Sequence, residues 1–364
     1  MDRRAFLKIT AAGLLAGATQ RLSAPFAAMA PPNVGADATI SYSIADSHFH
    51  YADFLQKTEG VDALLQSMKA AGVDHIMFSG MPLVKKWDAA EPEEPKYYLD
   101  DNARAYWYSA TDFVVARRFL ELPSEVRSRF HPFICGFNAT DKHAVMHVER
   151  MLAEYPGLWQ GVGEVFGHRD DLTNLTYGET ARANHPALDP IYDLAGQKNL
   201  PVNLHNNATS RNRLDKPIYV YEVQEALARH PKTVIIWAHA GLSRMLDLDQ
   251  TAYTGLLREM LAKHDNLYID LSWIIFENYV QTSSLEPRIR PEWLSLISDF
   301  SGRFMIGSDN IGHFATYNQN ILKYYTLLDA LKPDAARKVA LTNFLGLLPQ
   351  SGDDAHQGLM PYPS

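Results

Sequence analysis

Thr233-Val234-Ile235-Ile236-Trp237-Ala238-His239-Ala240-Gly241 is an apolar run that ends on an ionisable residue and a glycine. A strand solvated on one face alternates apolar and polar residues. This one is apolar on both faces, the pattern of a strand buried in a parallel sheet. Leu256, Leu257, Met260 and Leu261 then follow with the spacing of one helical face. The same unit recurs in both directions. Strand-like runs are read at Ile40–His50, Val73–Met81, His131–Asn138, Leu158–Gly167, Leu200–Asn206, Leu267–Trp273 and Arg303–Asp309. Helical stripes lie between them, such as Val61, Leu64, Leu65 and Met68, or Val145, Val148, Met151 and Leu152, or Val223 and Leu227. Eight strand–helix units in 364 residues predict an α/β protein, a closed (β/α)8 TIM barrel forming a single domain over residues 40–348. An open doubly wound sheet is the alternative, and no Gly-rich phosphate loop favours it.

Two connections are too long for the short loops of such a barrel: 82–111, which carries Trp87, Tyr97, Tyr98, Tyr106, Trp107 and Tyr108, and the polar stretch 168–184. Both follow the C-terminal ends of strands, where barrels build their active sites, and are read as functional or lid-like.

The ends of the chain lie outside this domain. Arg3-Arg4-Ala5-Phe6-Leu7-Lys8 precedes an apolar stretch from Ile9 to Ala18 and a small-residue region ending Ala27-Ala28-Met29-Ala30. That is the layout of an export signal, so residues 1–30 are read as a signal peptide. The paired arginines resemble the twin-arginine class, which implies the twin-arginine export machinery as a partner and a periplasmic destination. Residues 349–364 are read as a polar C-terminal tail. No other apolar run reaches the roughly 18 residues of a membrane span, so no stable membrane insertion is expected.

Composition narrows the function classes. The formal net charge is −8, and no basic patch of the kind that binds nucleic acid stands out. A single cysteine, Cys135, excludes an intramolecular disulfide and a cysteine-rich zinc site, so a metal must be held by His and carboxylates. A small-molecule substrate is expected, and a homo-oligomer is compatible with the sequence.

The polar residues that interrupt this apolar pattern sit at one end of it. Asp46-Ser47-His48-Phe49-His50 closes the first strand. Residues two apart in a strand share a face, so His48 and His50 point together into the barrel mouth, where two neutral imidazoles suit a divalent cation. Asp46 shares the face as a further acid, either at the site or structural beneath it. Glu164 ends the fourth strand, His205 the fifth, His239 the sixth and Asp309 the eighth. An ionisable group on a buried strand costs desolvation free energy unless paired, so a ring of them at one barrel end points to a shared ligand. Arg211 and Arg213, just past His205, could grip a substrate carboxylate, and His168 could supply a further acid–base. The simpler and favoured reading of each arginine is a solvated loop charge. The remaining histidines are read as structural.

These motifs resemble the amidohydrolase superfamily, most closely its amidohydrolase-2 branch: Asp-x-His-x-His at Asp46–His50, His-Ala-Gly at His239–Gly241, and Gly-Ser-Asp ending at Asp309. The resemblance runs from Ile40 to about Leu348. It implies that His48, His50, His205 and Asp309 are metal ligands, and that His239 is a second-metal ligand or a catalytic acid–base. One departure from the family's binuclear pattern is that no lysine suited to carboxylation ends the fourth strand. Glu164 stands there and could bridge two ions. The implied cofactor is a divalent metal ion, zinc being the expected one, with one or two per chain.

The chemistry expected of the ring is hydrolysis of a C–N, C–O or lactone bond in a small molecule. Asp309 would carry the water proton, and His239 would orient or stabilise the developing oxyanion. The runner-up is metal-dependent non-oxidative decarboxylation of an unsaturated or aromatic acid. A binding protein that retains the metal without turnover is a third reading, opposed by the intact set of six residues.

Overall fold

The computed structural model describes residues 42–349, apart from 170, 245 and 284. The expected signal peptide, residues 1–30, lies outside the described residues, as do residues 350–364 of the expected tail.

In chain order the strands are β1 (Ile44–Asp46), β2 (Phe49–His50), β3 (Val73–Ser79), β4 (Leu83–Lys85), β5 (Ala105–Trp107) and β6 (Phe130–Ile134). They continue with β7 (Gly161–Phe166), β8 (Val202–His205), β9 (Ile235–Trp237), β10 (Leu267–Asp270), β11 (Phe304–Met305) and β12 (Asn310–Ile311). One sheet runs β11-β10-β9-β8-β7-β6-β3-β2-β12, with β1 beside β3, and its pairings are parallel. The two ends of this path, β11 and β12, are separated by only residues 306–309. The Ser47 N–H donates to the Ile306 carbonyl at 3.0 Å, and the Asp309 N–H to the His48 carbonyl at 2.8 Å. The result is an α/β protein with a mostly parallel central sheet, consistent with a TIM barrel.

The strands are shorter than their apolar runs at the functional end. The first run breaks at Ser47–His48, where Ser47 turns its backbone to the last strand region. The run 233–241 is strand only over Ile235–Trp237 and then turns tightly through Ala238–Gly241. The run 303–309 leaves the ladder after Met305. Hydrophobicity marks burial, and these termini are buried without being extended.

The helices form where the stripes lie. Val61–Ala71 buries Leu64, Met68 and Ala71 and stops at Gly72, whose φ of 70° is the left-handed conformation that glycine reaches without a Cβ clash. Gln250–Lys263 starts at Asp249, whose carboxylate accepts from the Ala252 N–H at 2.9 Å, and it buries Tyr253, Leu257, Met260 and Leu261. Each such apolar side chain contributes about 1.5–3 kcal/mol on burial. Ala45, Met77, Phe133, Ile236 and Met305 of the sheet strands cluster with Phe344 and Leu348. No described helix is long and apolar enough to cross a membrane.

The long connection 82–111 holds the antiparallel pair β4–β5. Its aromatics divide. Tyr98 is buried and packs with Phe54, Met81, Leu83, Phe166 and Leu172, whereas Trp87 and Tyr106 are exposed.

Candidate metal centre

Four imidazoles and two carboxylates converge at the C-terminal end of the sheet. His48 lies at the break between β1 and β2. Its Nδ1 is 2.9 Å from Asp270 Oδ2, and its Nε2 is 3.5 Å from both Glu164 Oε1 and Asp309 Oδ1. That Nε2 is buried and has no hydrogen-bond partner. His50 donates from Nδ1 to the Gly80 carbonyl at 2.7 Å, a partner that only accepts, so the neutral ring presents a lone pair at Nε2. This Nε2 is 3.1 Å from Glu164 Oε2 and 3.7 Å from Asp309 Oδ1. His239 stands with Nδ1 at 3.2 Å from the Ser272 carbonyl and Nε2 at 3.7 Å from Glu164 Oε1 and 3.8 Å from Asp309 Oδ2. His205 is turned the other way: Nδ1 is 2.7 Å from Glu164 Oε1 and Nε2 is 3.0 Å from Asn207 Oδ1.

Three overlapping sets of ligand atoms come close enough to hold an ion: His48, His239 and Asp309; His48, His50 and Glu164; Glu164, His205 and His239. The buried, unpartnered Nε2 of His48 belongs to two of them. Nitrogen and oxygen donors without a thiolate suit a divalent cation such as zinc, and the outer nitrogens of His48, His50 and His239 are already anchored, as ligating histidines require. The residues fit the implied metal.

Electrostatics agree. Burial opposes a charge on His48, but Glu164, Asp270 and Asp309 outweigh it and hold its pKa well above the ordinary value. Burial would likewise raise the Glu164 carboxyl, yet His48 and His205 bring it well below the usual range. Glu164 and Asp309 on the Nε2 side of His48, with Asp270 on its Nδ1 side, favour positive charge here, which a cation can supply.

The backbone bends to aim these groups. His239, Ala240, Trp273 and Asp309 have positive φ, at 57°, 51°, 74° and 50°. Each such residue costs on the order of 1–3 kcal/mol and persists only where its surroundings impose it. Beneath the ring, Asp46 accepts from the Ser308 N–H at 2.8 Å, the His48 N–H at 3.2 Å and the Tyr317 hydroxyl at 2.9 Å. Burial pushes its pKa up to about 6. Of the two roles open to Asp46 this is the structural one, tying the first strand to the last.

The other sequence-based candidates fall elsewhere. Arg211 and Arg213 are exposed, and Arg213 pairs with Asp215 at 3.2 Å. Neither lines the cavity, because the chain reaches the surface within a few residues of the buried segment 205–209. His168 is buried edge-on against Tyr219, also away from the cavity lining. Three functional positions escaped the sequence reading: Asp270, Arg169 and Trp273. Asp270 had a usable signal, an acid inside the apolar run Leu267–Trp273. Arg169, next in sequence to His168, lines the cavity together with His50, Glu164, His239, Asp309 and Trp273.

One known family matches the chain in sequence. The sequence profile of the amidohydrolase family matches residues 45–343. No protein of curated function matches the chain in sequence. Among solved structures, the chain is similar to an uncharacterised TIM-barrel protein from Bordetella bronchiseptica, at TM-score 0.51 and 14% identity over 84% of this chain and 98% of that one. It is similar to a Staphylococcus aureus protein classed as an amidohydrolase, at TM-score 0.51 and 14% identity over 84% and 99%. At these identities the similarity speaks to the fold.

Proposed function

This chain belongs to the amidohydrolase family, and we propose that it is a metal-dependent hydrolase cleaving a C–N, C–O or lactone bond in a small molecule. The observation that carries the reading is the buried Nε2 of His48, without a hydrogen-bond partner and facing Glu164 and Asp309 at 3.5 Å. His48, His50, Glu164, His205, His239 and Asp309 would hold one or two divalent ions, zinc being the best match to the donor set. Such an ion, when bound, supplies Lewis acidity and lowers the pKa of water to about 7.

The chain's own residues do the rest. Asp309 is the most accessible of the ring carboxylates, with an 11% exposed side chain, so it can take a proton from water and return it to the leaving group. Its left-handed backbone, held by the His48 carbonyl, fixes where that proton is received. His239 faces Asp309 from the turn after β9 and is placed to hydrogen-bond oxygen charge as it develops. Asp270 positions His48, and through its Oδ1 the Ser272 N–H at 2.8 Å. Residues 1–30 would direct export through the twin-arginine machinery to the periplasm.

Metal content and the source of product oxygen test this reading. Purified protein should carry a divalent metal by elemental analysis, and Glu164→Gln should lose metal and activity together. A panel of small amides, esters and lactones turned over in isotope-labelled water should give labelled product. Release of carbon dioxide from an unsaturated acid without label uptake would replace hydrolysis by decarboxylation.

A further inference from the structure

Trp273 has a left-handed backbone, φ 74°, which a bulky side chain adopts only where its surroundings impose it. Its indole lines the cavity and packs against the His239 ring, with centroids 5.2 Å apart. The carbonyl of Ser272, one residue earlier, is 3.2 Å from Nδ1 of His239. The turn at Trp273 thus presents a ring and a carbonyl to His239 at once. Its own carbonyl is held from outside the cavity. Lys323, which follows the helix Tyr317–Leu322, donates from Nζ to the Trp273 carbonyl at 2.7 Å and to Glu277 Oε2 at 2.9 Å. The Phe276 N–H also reaches that carbonyl, but at 3.5 Å. The Lys323 side chain is only 10% exposed. Burying an ammonium costs desolvation free energy unless its donors find partners, and a lysine that needed only a carboxylate could find one at the surface. The buried Nζ instead clamps the backbone of the strained residue.

We propose that Lys323 is a positioning residue for the reaction: by holding the Trp273 carbonyl it keeps the indole and the Ser272 carbonyl against His239, and so fixes the imidazole that meets developing oxygen charge. Lys323 does not line the cavity and acts through Trp273. Glu277 has a separate task, neutralising the ammonium. This deepens the function proposed above and rests on it, since that reading gives His239 its part in the reaction.

Fluorescence of Trp273 tests the assignment apart from turnover. The chain has six tryptophans, so the Trp273 emission is the difference between each protein and its Trp273→Phe counterpart. In Lys323→Met this emission should shift to the red and become more open to acrylamide quenching. Glu277→Gln, which keeps the bond to the Trp273 carbonyl, should leave both unchanged. A lysine that merely ties its helix to Glu277 would give the same change in both variants. Lys323→Met combined with Glu277→Gln leaves no lone charge behind and carries the test if the single variant does not fold. With an amide, ester or lactone that the parent hydrolyses, kcat of Lys323→Met should fall by up to about 10²-fold at unchanged metal content, the scale of a misplacement of about 1 Å. Trp273 emission unmoved by the loss of Lys323, an equal change in Glu277→Gln, or an unchanged kcat would overturn the proposal. A parent that holds no metal yet shows the Lys323-dependent shift would overturn the metalloenzyme reading alone.

Discussion

The Nδ1 of His48 lies 2.9 Å from Oδ2 of Asp270, so a carboxylate at the end of β10 sets the tautomer and angle of an imidazole between β1 and β2. Asp270 in turn is fixed by the Ser272 N–H at 2.8 Å and the His239 N–H at 3.3 Å. Its pKa is held down to about 2: burial alone would raise it, but His48 reverses that. Asp270→Asn keeps the shape and removes the charge that orients the ring. Metal affinity should fall about 10–100-fold, the usual consequence of losing a group that anchors a ligating histidine. Chelator competition on the two proteins measures it, and equal affinities would remove Asp270 from this role.

Asp309→Asn separates proton transfer from metal holding. On metal-saturated protein kcat should drop at least about 10²-fold while KM changes little, because the walls of the cavity remain. If near-parent kcat survives, the proton passes through another group, and His239 is the next candidate.

Acid should erase the benefit of Asp171. Burial pushes its pKa up, but Arg169 and Arg244 more than reverse this and hold the carboxyl below its ordinary range. A depressed folded-state pKa contributes stability that is present above the unfolded value of about 3.9 and is lost as pH falls through the folded one. Asp171→Asn should therefore be less stable than the parent at neutral pH, and the gap should narrow below about pH 4. Urea unfolding at neutral and acid pH gives the comparison. A gap that is independent of pH would mean that the pair contributes through shape and not through charge.

Replacing Arg3 and Arg4 together by lysine should leave the precursor in the cytoplasm, folded and metal-loaded. Cell fractionation followed by elemental analysis reads both halves of that expectation. Unaltered delivery to the periplasm would contradict the export reading.

The sheet order and the ring were legible because each barrel strand is an apolar run with a polar residue at one end, as in Trp237-Ala238-His239 and Gly163-Glu164. Asp270 is harder to read because the apolar run continues past it to Trp273. For Arg211 and Arg213 the favoured reading, a solvated loop charge, agrees with their exposed positions. Arg211 and Arg213 follow a ligand candidate closely in sequence, but the chain turns out to the surface there. Arg169 is kept inward by Phe166, Tyr98 and Trp273, rings from three separate parts of the chain. Side-chain direction in loops follows from such distant packing, which local spacing does not encode. The left-handed turn at His239–Ala240 is similar, since neither residue type prefers that conformation.

In the proposed metalloenzyme, the hydrogen bond from the Asp309 N–H to the His48 carbonyl would make the ion site an assembly checkpoint. Its proposed ligands include His48, between β1 and β2, and Asp309, just before β12, some 260 positions apart, so a nascent chain could not complete the set until its final turn had docked. Retention of metal after gel filtration thus reports ring closure itself, and chains shortened before residue 309 should emerge metal-poor however much helix they contain.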